Sequence, residues 1–256
     1  MTINSDKNTI LVFSDPHQEI ERVEYLLKHE NYDTVVCLGD WFDSFTHNSE
    51  FHVEETCKFL KKWIFKKNFF TCIGNHDVQY LYDNNTSICS GYERSKDVFI
   101  TDCLGKLMPE IRNRFKWYLW IDDFLCSHAG VSTYHFPARL DGINKQSITG
   151  WLDDSIKMGE MSLINGGYHW LYGCGAARGG RMSIGGLTWQ DFRYEFAPIE
   201  GLNQLVGHTP HNTIMKHSDD DTKNLEECKN LDVDCHLNQY LTIFNGKLTI
   251  KNFKDL

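Results

Sequence analysis

The chain has 256 residues, a formal net charge of −9 and a pI near 5.7, with 41% hydrophobic and 24% charged residues. These proportions are globular and exclude a wholly disordered, collagenous or coiled-coil chain, and no apolar run approaches the roughly 18 residues of a membrane span. The acidic balance opposes generic binding to a nucleic-acid backbone, which needs clustered Lys and Arg. It leaves room for a small phosphorylated substrate, because a bound metal can reverse the local sign. Met1–Asn8 is polar and lacks the apolar core of a signal peptide. The nine cysteines are odd in number and without paired spacing, so the thiols read as reduced and the protein as cytoplasmic.

Thr9–Ser14 is a buried-strand run, followed over Gln18–His29 by apolar residues Ile20, Val23, Leu26 and Leu27 close to helical spacing. Thr34–Leu38 is the next strand, Glu54–Lys67 the next helix, and Phe69–Ile73 a third strand. This β-α-β-α-β order predicts parallel strands with helices on the faces. Trp117–Ile121, Asp123–Ser127, Gln204–Val206 and Tyr240–Phe244 read as further strands. Asn245-Gly246 before Lys247–Lys251 reads as a tight hairpin. The less regular, glycine-rich stretch at about 131–187 reads as an inserted helical and loop segment, a candidate lid, within a single domain over residues 1–256. The acidic loop around Asp219, Asp220 and Asp221 reads as a solvated loop.

Five polar clusters each follow an apolar run: Asp15-x-His17, Gly39-Asp40-x-x-Asp43, Gly74-Asn75-His76-Asp77, Ser127-His128-Ala129-Gly130 and Gly207-His208-Thr209-Pro210. Loops at strand carboxyl ends are where α/β proteins put ligand sites. Carboxylate, amide oxygen and imidazole together suit hard or borderline divalent ions. Asp15 and His17, two apart in a segment read as extended, would face the same side and bind one ion. Asp40 is placed to bridge to a second ion, which Asn75, His128 and His208 complete. His76, next to a ligand, is assigned as general acid, Asp43 as the group that orients it, and Asp77 as a turn or helix cap. The cysteines are not spaced for a zinc site; Cys228 and Cys235 lack a completing pair.

This ordered set resembles the calcineurin-like metallophosphoesterases, in particular the branch of phosphoprotein phosphatases and symmetrical dinucleoside tetraphosphatases, from Asp15 to His208. The resemblance implies an α/β fold with a central β-sandwich flanked by helices and metals at the strand ends. It also implies two divalent ions (Mn²⁺ first, Fe or Zn²⁺ as alternatives), with a metal-bridging hydroxide attacking phosphorus while His76 protonates the leaving group. The expected activity is that of a phosphatase, a hydrolase of phosphate esters acting on a small-molecule, nucleotide or phosphoprotein substrate. Alternatives are a symmetrical dinucleoside polyphosphate hydrolase, a serine/threonine protein phosphatase, and a non-catalytic scaffold of the same fold. Pro210 stands where cyclic-nucleotide phosphodiesterases of the wider superfamily have a second histidine. Ser44 stands where protein phosphatases have a phosphate-gripping arginine. Of the eight arginines, Arg193, in Trp189-x-Asp191-x-Arg193, is the first candidate to replace it, with Arg178 and Arg181 second.

Overall fold

The computed structural model describes residues 1–47, 49–82, 87–137, 143–217 and 230–256. Its elements, in chain order, are β1 (Thr2–Ile3), β2 (Ile10–Phe13), α1 (Ile20–His29), β3 (Thr34–Cys37), α2 (Glu50–Trp63), β4 (Phe69–Cys72), α3 (Asn75–Leu81), α4 (Arg94–Leu104) and α5 (Met108–Arg114). There follow β5 (Phe115–Lys116), β6 (Tyr118–Ile121), β7 (Phe124–Ser127), α6 (Lys145–Ile164), β8 (Asn203–Val206), β9 (Met215–Lys216), β10 (Asn230–Asp232), β11 (Gln239–Phe244) and β12 (Lys247–Asn252).

Two six-stranded sheets form, in the orders β1-β6-β7-β8-β10-β9 and β12-β11-β2-β3-β4-β5. β2, β3, β4 and β5 pair in parallel, as the alternation of strands and helices predicts. The side chains of these strands alternate between two apolar layers because the strand period is two. Ile10, Val12, Val36 and Leu38 point into the space between the sheets, against Leu119, Ile121, Cys126, Leu205 and Leu231 of the other sheet. Leu11, Phe13, Val35 and Cys37 point outward, to the layer that holds Val23, Leu26 and Leu27 of α1 and Val53 and Leu60 of α2. Strands buried on both faces show no polar alternation, which is why they read as continuous apolar runs. The result is a β-sandwich flanked by helices.

The segment 131–187 contributes to this core. Asn144 caps α6 by accepting from the Ser147 N–H. The helix buries Ile148, Leu152 and Leu163, and Leu171, Tyr172 and Leu187 join the same layer. Polar ties reinforce the packing: Trp120 Nε1 donates to Thr149, Tyr118 to Asp153, and Trp117 and Tyr82 to Glu160. Some of the glycines that follow are close-packed. A Cβ on Gly186 would lie 1.7 Å from the Trp170 carbonyl oxygen. At the far end, Asn245 and Gly246 both have positive φ, the left-handed pair of a two-residue hairpin turn. Asp219, Asp220, Asp221 and Cys228 lie outside the described residues. Among the described residues all eight cysteines are free, and no helix is long and apolar enough to cross a membrane.

Candidate metal centre

Loops leaving the ends of β2, β3, β4, β7 and β8 meet at one edge of the sandwich. Backbone hydrogen bonds join them: Asp15 N–H to the Gly39 carbonyl, His17 N–H to that of Asp40, and Gly207 N–H to that of His128. Asp77, at the third position of α3, accepts from the N–H groups of Gly74, Asp40 and Trp41. It is therefore a helix cap and a tie between two loops. Gly74 is required by close approach: a Cβ there would fall 2.0 Å from Asp40 Oδ1.

Asp15 and His17 converge by a route the sequence reading did not foresee. They have φ of 52° and 39°, so the segment is a left-handed turn and not extended strand. Asp40, Asp43 and His208 are also left-handed, at 60°, 64° and 75°. Such backbone costs free energy in non-glycine residues and clusters where a site demands particular side-chain directions. The turn brings His17 Nε2 to 3.8 Å from Asp15 Oδ1 and 3.8 Å from Asp40 Oδ2.

Among the described residues there are three groups of ligand-type atoms, each within 4.8 Å of one another: Asp43–His76–Cys89, and two that share Asp40, namely Asp15–His17–Asp40 and Asp40–His128–His208. The donors fit divalent ions on the pattern of their hydrogen bonds. His17 Nδ1 donates to the Phe42 carbonyl and His128 Nδ1 to the Leu38 carbonyl, at 3.0 and 2.9 Å. This fixes the tautomer in which Nε2 is the ligand-facing lone pair. His128 Nε2 then lies 3.0 Å from Asn75 Oδ1 and 3.3 Å from Asp40 Oδ2. A divalent cation could take these three polar atoms as ligands together. His208 Nε2 is buried with no hydrogen-bond partner, an orphan that a ligand role would satisfy.

The electrostatics agree. Burial, with the Asp40 carboxylate nearby, pushes Asp15 up to about 6 against the pull of His128. Burial would also raise Asp40, but His128, His76 and His17 outweigh it and hold the group well below the usual carboxylate range. His128 is raised to about 9, Asp40 and Asp15 overcoming its burial, so an ion binding at its Nε2 would have to displace a proton. His208 is driven well below its ordinary value by burial and by His128, so it is neutral, as a ligand must be.

Of the metal-ligand candidates, His17, Asp40, Asn75 and His208 form the floor of a cleft of about 360 Å³, with Asp15 and His128 outside its lining. On one wall, His76 Nδ1 lies 3.0 Å from Asp43 Oδ2. Burial opposes protonation of His76, yet Asp40 and Asp43 raise it well above the usual histidine value, so it carries a proton to give. The sequence reading missed what surrounds Asp43. Lys96 Nζ and the Tyr80 hydroxyl both donate to Oδ1 at 2.6 Å, and Gln79 donates to Oδ2. Lys96 is 6% exposed, and its burial broke the amphipathic pattern that would have marked α4. Ser44 is buried, and its hydroxyl accepts from Thr46 and His47 N–H to shape the turn.

On the other wall, Arg178 lines the cleft. Its Nε lies 2.8 Å from Asp191 Oδ2, and Nη2 donates to the His208 carbonyl. Arg193 does not line the cleft; it sits 3.6 Å from the same Asp191 oxygen with its guanidinium over Tyr194. Arg181 lines a separate pocket beyond Trp189. Of the three arginines, Arg178 is the one that lines the cleft. Asp234 and His236, also unforeseen, line the cleft. Burial and the Asp15 charge push Asp234 up to about 7. The Asp232-Val-Asp234 spacing after an apolar residue was the available signal.

A sandwich with carboxylates, imidazoles and an amide oxygen converging at its strand ends defines a metal-dependent phosphoester hydrolase. The chain belongs to the calcineurin-like phosphoesterases, whose family model matches residues 8–238. Among solved structures it is similar to a cold-active protein-tyrosine phosphatase of a psychrophilic Shewanella species, with a TM-score of 0.58 and 16% identity, over 100% of this chain and 80% of that one. It is also similar to a protein serine/threonine phosphatase from Saccharomyces cerevisiae, with a TM-score of 0.56 and 14% identity, over 98% and 83% of the two chains. At these identities the likeness is one of fold. No curated protein matches by sequence.

Proposed function

We propose that this protein is a phosphatase that hydrolyses phosphate esters with two divalent ions. Asp15, His17 and Asp40 would hold the first, and Asp40, Asn75, His128 and His208 the second. When bound, such ions supply charge neutralisation at phosphorus and lower the pKa of water towards about 7. Mn²⁺ is the first ion to test, with Fe and Zn²⁺ suited to the same donors. The chain's own residues do the rest. Asp40 joins the two groups of ligands. Asp43 engages His76 Nδ1, which leaves Nε2 to donate a proton to the departing oxygen. Arg178 grips a phosphoryl oxygen from the opposite wall. We read residues 1–256 as one domain, in which the Ala176–Arg178 turn and its glycine-rich surroundings cover one side of the site.

The observation that carries this reading is the sharing of buried Asp40 between two groups of ligand-type atoms, with the His76–Asp43 pair beside them. The scaffold alternative is weak because none of the expected ligand or acid positions is vacant. The test is a substrate panel in Mn²⁺: p-nitrophenyl phosphate, its bis-ester, a phosphopeptide and diadenosine tetraphosphate. Turnover of monoesters ahead of the tetraphosphate is expected. No turnover of any of the four would overturn the reading, and preference for the tetraphosphate would move it to the dinucleoside polyphosphate alternative.

A further inference from the structure

Phe45 is 74% exposed, yet it lines the cleft. The backbone on either side of it is tied down. The Ser44 N–H donates to Gln18 Oε1, and the Ser44 hydroxyl holds Thr46 and His47 on the other side. The ring centroid stands 6.2 Å from that of His76 at an interplanar angle of 88°, and 6.3 Å from that of His17. Resting on these two histidines, the ring still turns most of its surface to solvent at the cleft.

Two further features orient a substrate. If His76 protonates the leaving oxygen, the leaving group must depart on the His76 side, which is the Phe45 side. Among the described residues, the cleft walls also carry few free cations. Arg178 is already engaged by Asp191, and Glu19 and Asp234 line the same space. That balance suits one phosphoryl group and penalises a polyphosphate chain. Trp189 stands on the other side, its ring 5.4 Å from that of His208, so the mouth is aromatic on both walls.

We propose that Phe45 is a stacking platform for the leaving group, and that the preferred substrates are phosphate monoesters of phenolic alcohols. This rests on the hydrolytic reading above and narrows it. Water adds to phosphorus, the bond between phosphorus and the ring oxygen breaks, and His76 passes its proton to that oxygen. The products are inorganic phosphate and the phenol. A phenol has a pKa of about 10, so its oxygen still profits from the proton near neutrality. The flat ring meets the Phe45 face, an aromatic pair that adds to simple area burial.

The experiment measures kcat/KM of the Mn²⁺-loaded wild type, Phe45→Ala and Phe45→Trp on phenyl phosphate and on glycerol 2-phosphate. The alanine variant should lose about fivefold to tenfold more on the aryl ester than on the alkyl ester, mainly in KM, and tryptophan should restore most of it. Equal losses on the two esters, or a tryptophan variant no better than alanine, would overturn the platform while leaving the hydrolase intact. Failure of the wild type to turn over either ester would overturn the hydrolytic reading, and this proposal with it.

Discussion

On the His76 wall, the Asp43 carboxylate accepts from His76, Gln79, Tyr80 and Lys96. On the Arg178 wall, the Asp191 carboxylate is divided between two arginines and the N–H groups of Arg193 and Tyr194. Both walls use one buried acid to aim one functional group at the floor, but they differ in redundancy. The His76 ring, at the cleft, is held by a buried network, which suits the proton-donor role proposed for it. The Arg178 side chain is 23% exposed and keeps the freedom to follow a charged group that enters. A proton donor must be in one place, whereas a phosphate grip must find its ligand.

Substitutions can break this contrast. His76→Asn should leave bound metal unchanged and lower kcat by about two to four powers of ten, the size of acid–base assistance. The loss should be smallest for p-nitrophenyl phosphate, whose leaving group needs little protonation, and largest for alkyl esters. A uniform loss across a leaving-group series would remove His76 as the proton donor. Lys96→Met leaves buried Asp43 with His76 as its remaining cationic partner and should cost about 3 kcal/mol of stability, read as a lowered denaturant midpoint with unchanged slope. A midpoint like the wild type's would show that His76, Gln79 and Tyr80 suffice. Arg178→Ala should lower kcat/KM about tenfold to a hundredfold, while Arg193→Ala should stay within about twofold. The reverse order would return the phosphate grip to Arg193.

A region remote from both walls calibrates these effects. Glu30 at the end of α1 is held below the usual carboxylate range; burial opposes this, but hydrogen bonds from Lys251 and Tyr240 prevail. A carboxylate lowered on folding contributes stability above its unfolded pKa of about 4.3. That contribution is lost as pH falls through the folded value. Lys251→Met should therefore move the acid-unfolding midpoint upward, with a change of under about 1 kcal/mol at neutral pH because Lys251 is half-exposed. An unchanged midpoint would show that Tyr240 and the Asn31 N–H hold Glu30 without Lys251.

The floor was legible in the sequence because its residues stand directly after buried strands, where apolar runs and polar clusters alternate visibly. Asp15, His17, Asp40, Asn75, His128 and His208 all meet where strand-end logic put them, although Asp15 and His17 do so through left-handed backbone that no spacing rule gives. The walls were less legible. Lys96 reads as a surface residue of a weakly patterned helix, and only tertiary structure brings it 53 positions back to Asp43. Arg178 and Arg193 compete for the same Asp191 oxygen, so spacing along the chain could not tell which one enters the cleft. The glycines of the 131–187 segment read as freedom, whereas close backbone packing at Gly186 makes that position a constraint.

The central claim is the shared floor, and the count of ions tests it most directly. Wild type and Asp40→Asn are stripped with chelator, reconstituted in excess Mn²⁺, desalted and analysed for metal per chain. The account predicts two ions in the wild type and at most one in Asp40→Asn. It also predicts a loss of activity in that variant beyond the tenfold to hundredfold typical of a group one step removed from a metal. A wild type that holds no more than one ion, or an Asp40→Asn variant that keeps two, would contradict it.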